Sequence, residues 1–455
     1  MLVDVIVLAA GKGSRMRSCL PKVLHNLAGK PLLAHVVESL GFDGVAINTV
    51  VGHGKALIQQ AFSEQDLVWV EQTEQLGTAH AVLQALPNLR DKSTVLIVYG
   101  DVPLIKHETL QRLLSGVNDG AMSLLTVTLE EPMGYGRILR NSEGEVTGIV
   151  EHKDATAEQL NVCEVNTGVM AMTVEDLRNW LPKIGNDNAQ GEYYLTDFIQ
   201  LARSGGRVIN TFSPSKSEEV QGINSRGQLV ELERYYQRQT ADKLLDSGVT
   251  IADPNRFDCR GQLVTGDDVF IDINCLFEGD NQLGSNVTVG ANCVISDANI
   301  GNNVIIKANT VIEGPVTLAD GVQVGPFARL RPHTELAEGV KIGNFVETKK
   351  AKIGPGSKVS HLSYIGDASL GCEVNIGAGT ITCNYDGVNK HQTQIEDGAF
   401  IGSNTSLVAP VLVGKGATVG AGSAISREVP GGSLAVARGK QRIVENWKRP
   451  EKNKE

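Results

Sequence analysis

The sequence predicts two unlike halves joined by a helix: an α/β domain with a Rossmann-like, largely parallel sheet, then a parallel β-helix built from six-residue repeats. Three observations lead there. Short β-branched runs alternate with helix-like stretches up to about residue 224, one amphipathic segment follows, and beyond residue 260 aliphatic residues recur every six positions. A chain of 455 residues is also too long for one ordinary domain. The expected divisions are 1–224, a linker helix over 225–250, the repeats over 251–436, and a basic tail over 437–455.

In the first half "DVIVLAA" (4–10), "VAINTVVG" (45–52), "LVWVEQ" (67–72) and "TVLIVYGD" (94–101) read as strands, separated by segments of helical spacing such as "AHAVLQAL". That alternation is the βαβ pattern, which places ligands at the C-terminal ends of the strands. Residues 225–248 read as one helix with Leu229, Leu232, Tyr236 and Leu244 as its apolar stripe and Gly248 as its stop.

In the second half an aliphatic residue precedes glycine at Leu283, Val289, Ile300, Val324, Ile342, Ile353, Ile365, Leu370, Ile376, Ile401, Val413 and Val419. Ile306, Ile312, Leu318, Leu330, Leu336, Leu407 and Ile425 keep the count between them. Neither the strand nor the helix period divides this pattern, whereas three short strands per coil, about 18 residues, do. The glycines suit corners, through positive φ or close backbone approach. Only 5% of residues are aromatic, as a narrow prism interior requires. One break is expected, between Thr382 and Ile401, where a polar insertion marks either a loop on the binding face or a tolerated surface insertion.

Composition narrows the function. A formal charge of −10 gives no whole-chain attraction for nucleic acid or for an anionic membrane, so any anionic substrate has to be held by local groups. No stretch of about 20 apolar residues exists, and the N-terminal apolar run leads into glycines, which favours the cytoplasm. Cys19, Cys163, Cys259, Cys275, Cys293, Cys372 and Cys383 are scattered, with no CxxC pair, and read as reduced thiols. The tail holds seven Lys or Arg against three Glu, suited to phosphates or simply solvated; Arg438 and Lys440 are better placed for phosphate than Lys452 and Lys454.

Two stretches carry candidate chemistry. "LAAGKGSRMRSCLPK" follows the first strand; it lacks the Walker spacing and the third glycine of the dinucleotide fingerprint. A glycine turn at a strand end offers amide protons to phosphate, and Lys12, Arg15 and Lys22 add cations; a plain βα turn is the alternative. Asp101 closes a buried strand, a position that suits Mg2+ or, equally, a helix N-cap. In the repeats, His361 is accompanied by Lys349, Tyr364, Asn375, Asn384 and Tyr385, and imidazole is the side chain that titrates near neutrality. Strand alternation points Val359, His361 and Ser363 to one side unless a corner intervenes. Backbone amides of "NIGAG" are candidate oxyanion donors.

The motifs "LAAGKGSRM", "LPK", "QLGTAHA", "YGDVPL", "GYGRI", "VEHKD", "EVNTGV", "NAQGEYYLTD" and "GIN" occur in order. They are followed by "RLRP", "GNFVETKK", "HLSYIGD", "NIGAGTITCNYDG" and "GSNTSLVAP". Over essentially its whole length the chain resembles the bifunctional bacterial N-acetylglucosamine-1-phosphate uridyltransferase/glucosamine-1-phosphate acetyltransferase family. The resemblance implies a Rossmann-like nucleotidyltransferase domain, a linker helix and a left-handed β-helix of hexapeptide repeats. It also implies Mg2+, the substrates UTP, N-acetylglucosamine 1-phosphate, glucosamine 1-phosphate and acetyl-CoA, and a homotrimer. An alternative keeps the first activity and makes the solenoid a regulatory or oligomerising module, as in ADP-glucose pyrophosphorylase-like enzymes. A non-catalytic β-helix scaffold is a third.

By that resemblance, Leu8, Ala9, Ala10 and Gly11 hold the nucleotide, with Arg15 and Lys22 on its phosphates and Gln72, Gly77 and Thr78 on the uracil. Tyr99, Gly100, Gly136, Glu151 and Asn166 line the sugar-phosphate side, and Asp101 and Asn224 ligate Mg2+. In the repeats Arg331, Lys349, Tyr364, Asn375 and Lys390 bind glucosamine 1-phosphate, and His361 is the base. Ala378, Asn384, Tyr385, Ser403, Ala421 and Arg438 meet acetyl-CoA. Ser14 stands where the family often has Thr, and the last residues match only loosely, leaving Lys440 and Arg442 open.

Overall fold

A computed structural model describes residues 2–449, so Lys452 and Lys454 lie outside the described residues. The chain divides into two compact units between Tyr236 and Gln237.

In the first unit the strands are β1 (Val3–Leu8), β2 (Ala46–Val51), β3 (Val68–Glu71), β4 (Thr94–Tyr99), β5 (Ala121–Thr128), β6 (Glu164–Thr173) and β7 (Val208–Phe212). They lie in the order β7-β5-β6-β4-β1-β2-β3. All neighbours run parallel except β6, which is antiparallel to both β4 and β5. Val3, Val5 and Val7 of β1 enter one apolar cluster, while Ile6 and Leu8 enter the cluster on the other face. Burial on both faces explains why β1 reads as an unbroken apolar run instead of an alternation. A short antiparallel pair, Arg137–Arg140 with Val146–Val150, extends from β6.

The helix Arg226–Asp246 spans most of the segment expected to be helical. Leu232 is buried with Met16, Leu27, Leu32 and Ile223, and Leu229 and Tyr236 pack against that cluster. Gly248 takes φ 98°, a conformation open to glycine, and its N–H donates to the Leu245 carbonyl at 3.0 Å. At the start of the second unit the buried Gln237 amide exchanges two hydrogen bonds with the Cys259 backbone, 2.9 and 2.7 Å long.

The second unit is a three-sided parallel β-helix. Its interior consists of three stacks of inward residues: Ile271-Val289-Ile306-Val324-Ile342-Val359-Ile376-Ile401-Val419, Phe277-Ile295-Ile312-Leu330-Thr348-Ile365-Thr382-Leu407-Ile425, and Leu283-Ile300-Leu318-Leu336-Ile353-Leu370-Ile395-Val413. The expected break is shorter than the sequence suggested. Thr393–Ile395 already forms a strand paired with Ala368–Leu370 and Val411–Val413, so the excursion is confined to residues 384–392. The six-residue spacing from Ile395 to Ile401 was intact all along.

The corner chemistry separates the two roles offered for glycine. The glycine directly after each aliphatic residue mostly lacks positive φ; it is required by close approach, since a Cβ on Gly290 would lie 2.7 Å from the Ala308 amide nitrogen. Positive φ falls two residues later instead, at Asn274, Asn292, Asn309, Phe327, Phe345, Leu362, Gly379, Asn404 and Gly422 along one edge. Asn and Gly tolerate that conformation; Phe and Leu do so at a cost.

Ile312 is fully buried between Ile295 and Leu330. Ile312→Ala is expected to destabilise the solenoid by about 2–5 kcal/mol, read as a lowered urea midpoint in the strand circular-dichroism signal.

Candidate active sites

The first site forms where parallel register brings strand ends together. Leu8 pairs with Tyr99, the Gly100 N–H donates to the Leu8 carbonyl at 3.0 Å, and the Gln72 N–H donates to the Val51 carbonyl at 2.8 Å. The glycine loop, Gln72 and Asp101 therefore face one cleft of about 500 Å³. Leu8, Ala9, Ala10, Gly11, Arg15, Lys22, Gln72, Gly77, Thr78, Tyr99, Asp101 and Asn224 line it. Gly13 takes φ 60°, and a Cβ there would come within 2.8 Å of Lys22 Cβ, so the loop folds directly over the lysine stem. Gly77, at φ 120°, leaves its carbonyl to accept from Gln72 Nε2 at 3.1 Å, while a side chain there would lie 2.5 Å from the Tyr193 carbonyl.

Asp101 does not cap a helix. Its carboxylate accepts from the Lys22 ammonium, which also donates to Asn224 Oδ1 at 3.1 Å. Asn224 is brought there by the backbone: the Ile223 N–H donates to the Asp101 carbonyl at 2.9 Å, and Gln228 Oε1 accepts from the Asn224 N–H at 2.8 Å. Two hard oxygens already closed on a cation fit Mg2+, which takes few protein ligands and completes its shell with water and phosphate.

Gly100, Gly136, Glu151 and Asn166 do not line that cleft but are linked to Tyr99, which does: Gly100 follows it in the chain, Gly136 lies beside Glu151, whose charge reaches the phenol, and Asn166 holds Gly168, which lies against the Tyr99 ring. Gly100 packs on Leu33, Val23 and Ala9. The Asn166 N–H donates to the Gly136 carbonyl and its Oδ1 accepts from the Gly168 N–H, each at 2.9 Å. β6 breaks register between Asn166 and Met170, a bulge that re-aims this stretch. Burial, then the Glu151 and Asp101 charges, push the Tyr99 phenol above its ordinary range. Burial likewise raises Glu151, although Thr196 Oγ1 donates to its Oε1 at 3.1 Å and opposes the shift.

In the solenoid, His361 ends the strand Lys358–His361 and a corner does intervene: Leu362 takes φ 50°. Val359 and Ser363 are buried while His361 is exposed, so the three do not share a side. The ring is nonetheless fixed. Asn344, paired with His361 one coil away, offers its Oδ1 2.6 Å from Nδ1. An amide oxygen only accepts, so Nδ1 is the donor in this bond and the ring is held by it.

The residue before each positive-φ position repeats along the same edge, which aligns His361 with Ala378, Ser403 and Ala421. The Gly379, Asn404 and Gly422 amides donate to His361, Ala378 and Ser403 carbonyls at 3.3, 2.7 and 2.8 Å, rung by rung. Arg438 donates to the Ala421 carbonyl at 2.9 Å. Those rungs narrow one expectation: within 375–379 the Asn375, Gly377 and Gly379 amides are committed to the Ala399, Ile401 and His361 carbonyls, which takes these three out of the candidate oxyanion donors.

Around the corner Arg331, Lys349 and Lys390 form a cationic patch. The neighbouring Lys390 ammonium, and more weakly burial and Arg331, hold Lys349 below the ordinary lysine range. Arg331 donates to Glu347 at 2.8 Å, and Tyr364 pairs with Glu347 on the adjoining strand. Asn375 stands on the face leading to the edge, between Lys358 and Phe400. Asn384 donates to Asp367 at 2.5 Å, and Tyr385, exposed, bridges Lys390 across the excursion. That loop is closed by Asp386, which accepts from the Asn389 and Val388 amides and from His391 at 2.7–2.8 Å; these bonds, Asn389 first, hold its carboxyl well below the usual range.

Sequence reasoning missed Gln75, Tyr135, Gly222 and Gln228, which also line the cleft, and Asn344. Asn344 was legible in principle, lying one coil before His361 in a rigid repeat. Lys440 and Arg442 are exposed in the tail.

A family model for MobA-like NTP transferase domains matches residues 5–161. A bacterial transferase hexapeptide model matches 297–332, and one for the hexapeptide repeat of succinyl-transferase matches 392–427, consistent with a left-handed β-helix whose repeats resume by Thr393. Full-length relatives are called bifunctional protein GlmU. The chain is 57% identical to that of Marinobacter nauticus over 451 residues, 99% of each chain, and 58% identical to that of Cellvibrio japonicus over 450 residues, again 99% of each. Identity to the Idiomarina loihiensis protein is 54% over 455 residues, the whole of both chains.

Because Glu151 binds its proton more tightly folded than unfolded, its contribution to stability is greatest below the ordinary carboxylate range and is lost as pH rises through the raised value. Thr196→Val removes a bond to the charged form, so the Glu151 midpoint should rise further in a carboxyl-carbon NMR titration; an unchanged or lowered midpoint contradicts this.

Proposed function

We propose, since the chain belongs to the family of the bifunctional protein GlmU, that its halves perform two successive transfers. In the solenoid, acetyl passes from acetyl-CoA to glucosamine 1-phosphate. In the first unit, uridylyl passes from UTP to N-acetylglucosamine 1-phosphate and pyrophosphate leaves. The observation carrying this reading is that each unit holds its own polar site, one furnished with cations and hard oxygens at strand ends, the other with an oriented imidazole beside a cationic patch.

Uridylyl transfer asks the protein for position and charge neutralisation. The glycine loop, Arg15 and Lys22 take the triphosphate, and Gln72, Gly77 and Thr78 take the base. Tyr99, Gly100, Gly136, Glu151 and Asn166 seat the sugar phosphate so that its oxygen lies in line with the α-phosphorus. Mg2+ held by Asp101 and Asn224 would neutralise phosphate charge.

For acetyl transfer, His361 Nε2 takes the proton from the amine as nitrogen bonds the thioester carbonyl carbon; the C–S bond breaks and the thiolate leaves, to be protonated to CoA. Arg331, Lys349 and Lys390 hold the phosphate, with Tyr364 and Asn375 beside the sugar. Acetyl-CoA lies along the edge from His361 past Ala378, Ser403 and Ala421 to Arg438, with Asn384 and Tyr385 flanking it. Support for a homotrimer comes from Phe327, Phe345 and Leu362, which present 50, 54 and 63% of their surface on this same edge in a conformation costly for large side chains. Cytoplasmic location is supported by seven free thiols. No helix among the described residues is long and apolar enough to cross a membrane.

Asp101→Ala should abolish uridylyl transfer and spare acetyl transfer; His361→Ala should cut acetyl transfer by about 10²–10⁴-fold and spare uridylyl transfer. Joint loss in a folded variant refutes the two-site assignment, and no CoA release from acetyl-CoA with glucosamine 1-phosphate favours a regulatory solenoid. Because Lys349 is depressed by like charge, an anion restores its proton. Binding of glucosamine 1-phosphate should take up protons at alkaline pH, seen as buffer-dependent calorimetric heats; the uptake should vanish in Lys349→Ala.

A further inference from the structure

The Lys22 ammonium occupies the place assigned above to a metal ion. It contacts the Asp101 carboxylate and lies 3.1 Å from Asn224 Oδ1, the same two oxygens. Both charged side chains are largely withdrawn from water, 14% exposed for Lys22 and 13% for Asp101. The lysine is not a loose surface residue that drifted there. It begins the short turn Lys22–Leu24, tied by the Leu24 N–H donating to the Pro21 carbonyl at 2.9 Å, and Gly13 closes over its stem.

We infer that Lys22 is a resident cation that keeps a metal off Asp101 and Asn224 until a triphosphate draws the ammonium away, so that metal and nucleotide enter together. This rests on the metal reading of Asp101 and Asn224 proposed above. A divalent ion and an ammonium cannot share one carboxylate oxygen without strong repulsion, and an ammonium that left with no new anion would be a half-buried unpaired charge. The phosphates of a nucleotide on the glycine loop supply that anion, beside Arg15. Metal affinity is thereby coupled to nucleotide binding, and the coupling is reciprocal.

The test is titration of the full chain with Mn2+ and no nucleotide, following free Mn2+ by electron paramagnetic resonance, in wild type, Lys22→Met, Lys22→Ala, and each combined with Asp101→Asn. Thermal unfolding of each variant checks folding. If the oxygens are free of the ammonium about one-tenth of the time in wild type, removing the charge should tighten Mn2+ about tenfold, in both lysine variants, and Asp101→Asn should erase the gain. Folded lysine variants that bind Mn2+ no more tightly than wild type overturn the inference, while loss of wild-type binding on Asp101→Asn would leave the metal reading standing. A gain that survives Asp101→Asn overturns the metal reading itself.

Discussion

Parallel pairing in fixed register does the same job in both units: it returns the chain, again and again, to one boundary, and so makes neighbours of residues far apart in sequence. In the first unit the boundary is the C-terminal end of the sheet, where Leu8 meets Tyr99 and the turns after β1, β3 and β4 converge on one cleft. In the second it is an edge of the prism, where each coil presents its corner above the last. Neither site exists in any local segment. His361 obtains Asn344 and Asp101 obtains Asn224 only because distant backbone is held to within a hydrogen bond.

The two sites handle anions differently. The cleft balances charge in advance, pairing Lys22 with Asp101 and shielding both. The solenoid leaves Lys349 and Lys390 side by side, a repulsion that a bound anion would relieve. Around the cleft, burial works through Glu151 and Tyr99, which are both kept toward their neutral forms.

Much of this was legible. The sixfold spacing announced the solenoid because inward positions admit few residues, and the β-branched runs announced the parallel sheet. What stayed hidden depended on three-dimensional return. That β6 runs antiparallel follows from sheet order, which no local pattern encodes. The length of the excursion was overestimated because Ile395, six residues before Ile401, is followed by Glu396 and so lacks the glycine that marked most register positions. The outward turn of His361 required knowing that Leu362 adopts positive φ, which its side chain argues against. Of the cleft residues that were missed, Gln75, Tyr135 and Gly222 stand inside the motifs QLGTAHA, GYGRI and GIN, where a neighbour was chosen instead; Gln228, outside every motif, gave no signal.

The edge that carries His361 has one further property. Ala378, Ser403 and Ala421 follow it at successive coils, each about 4.8 Å above the last, and their small side chains leave a smooth lane that ends at Arg438. Such a lane is a ruler: the gap between imidazole and guanidinium is set by a whole number of coils and is insensitive to the sequence of the faces between. Insertion or removal of one complete coil would keep the inward stacking pattern of the prism and yet move the two marks apart or together by a full graduation.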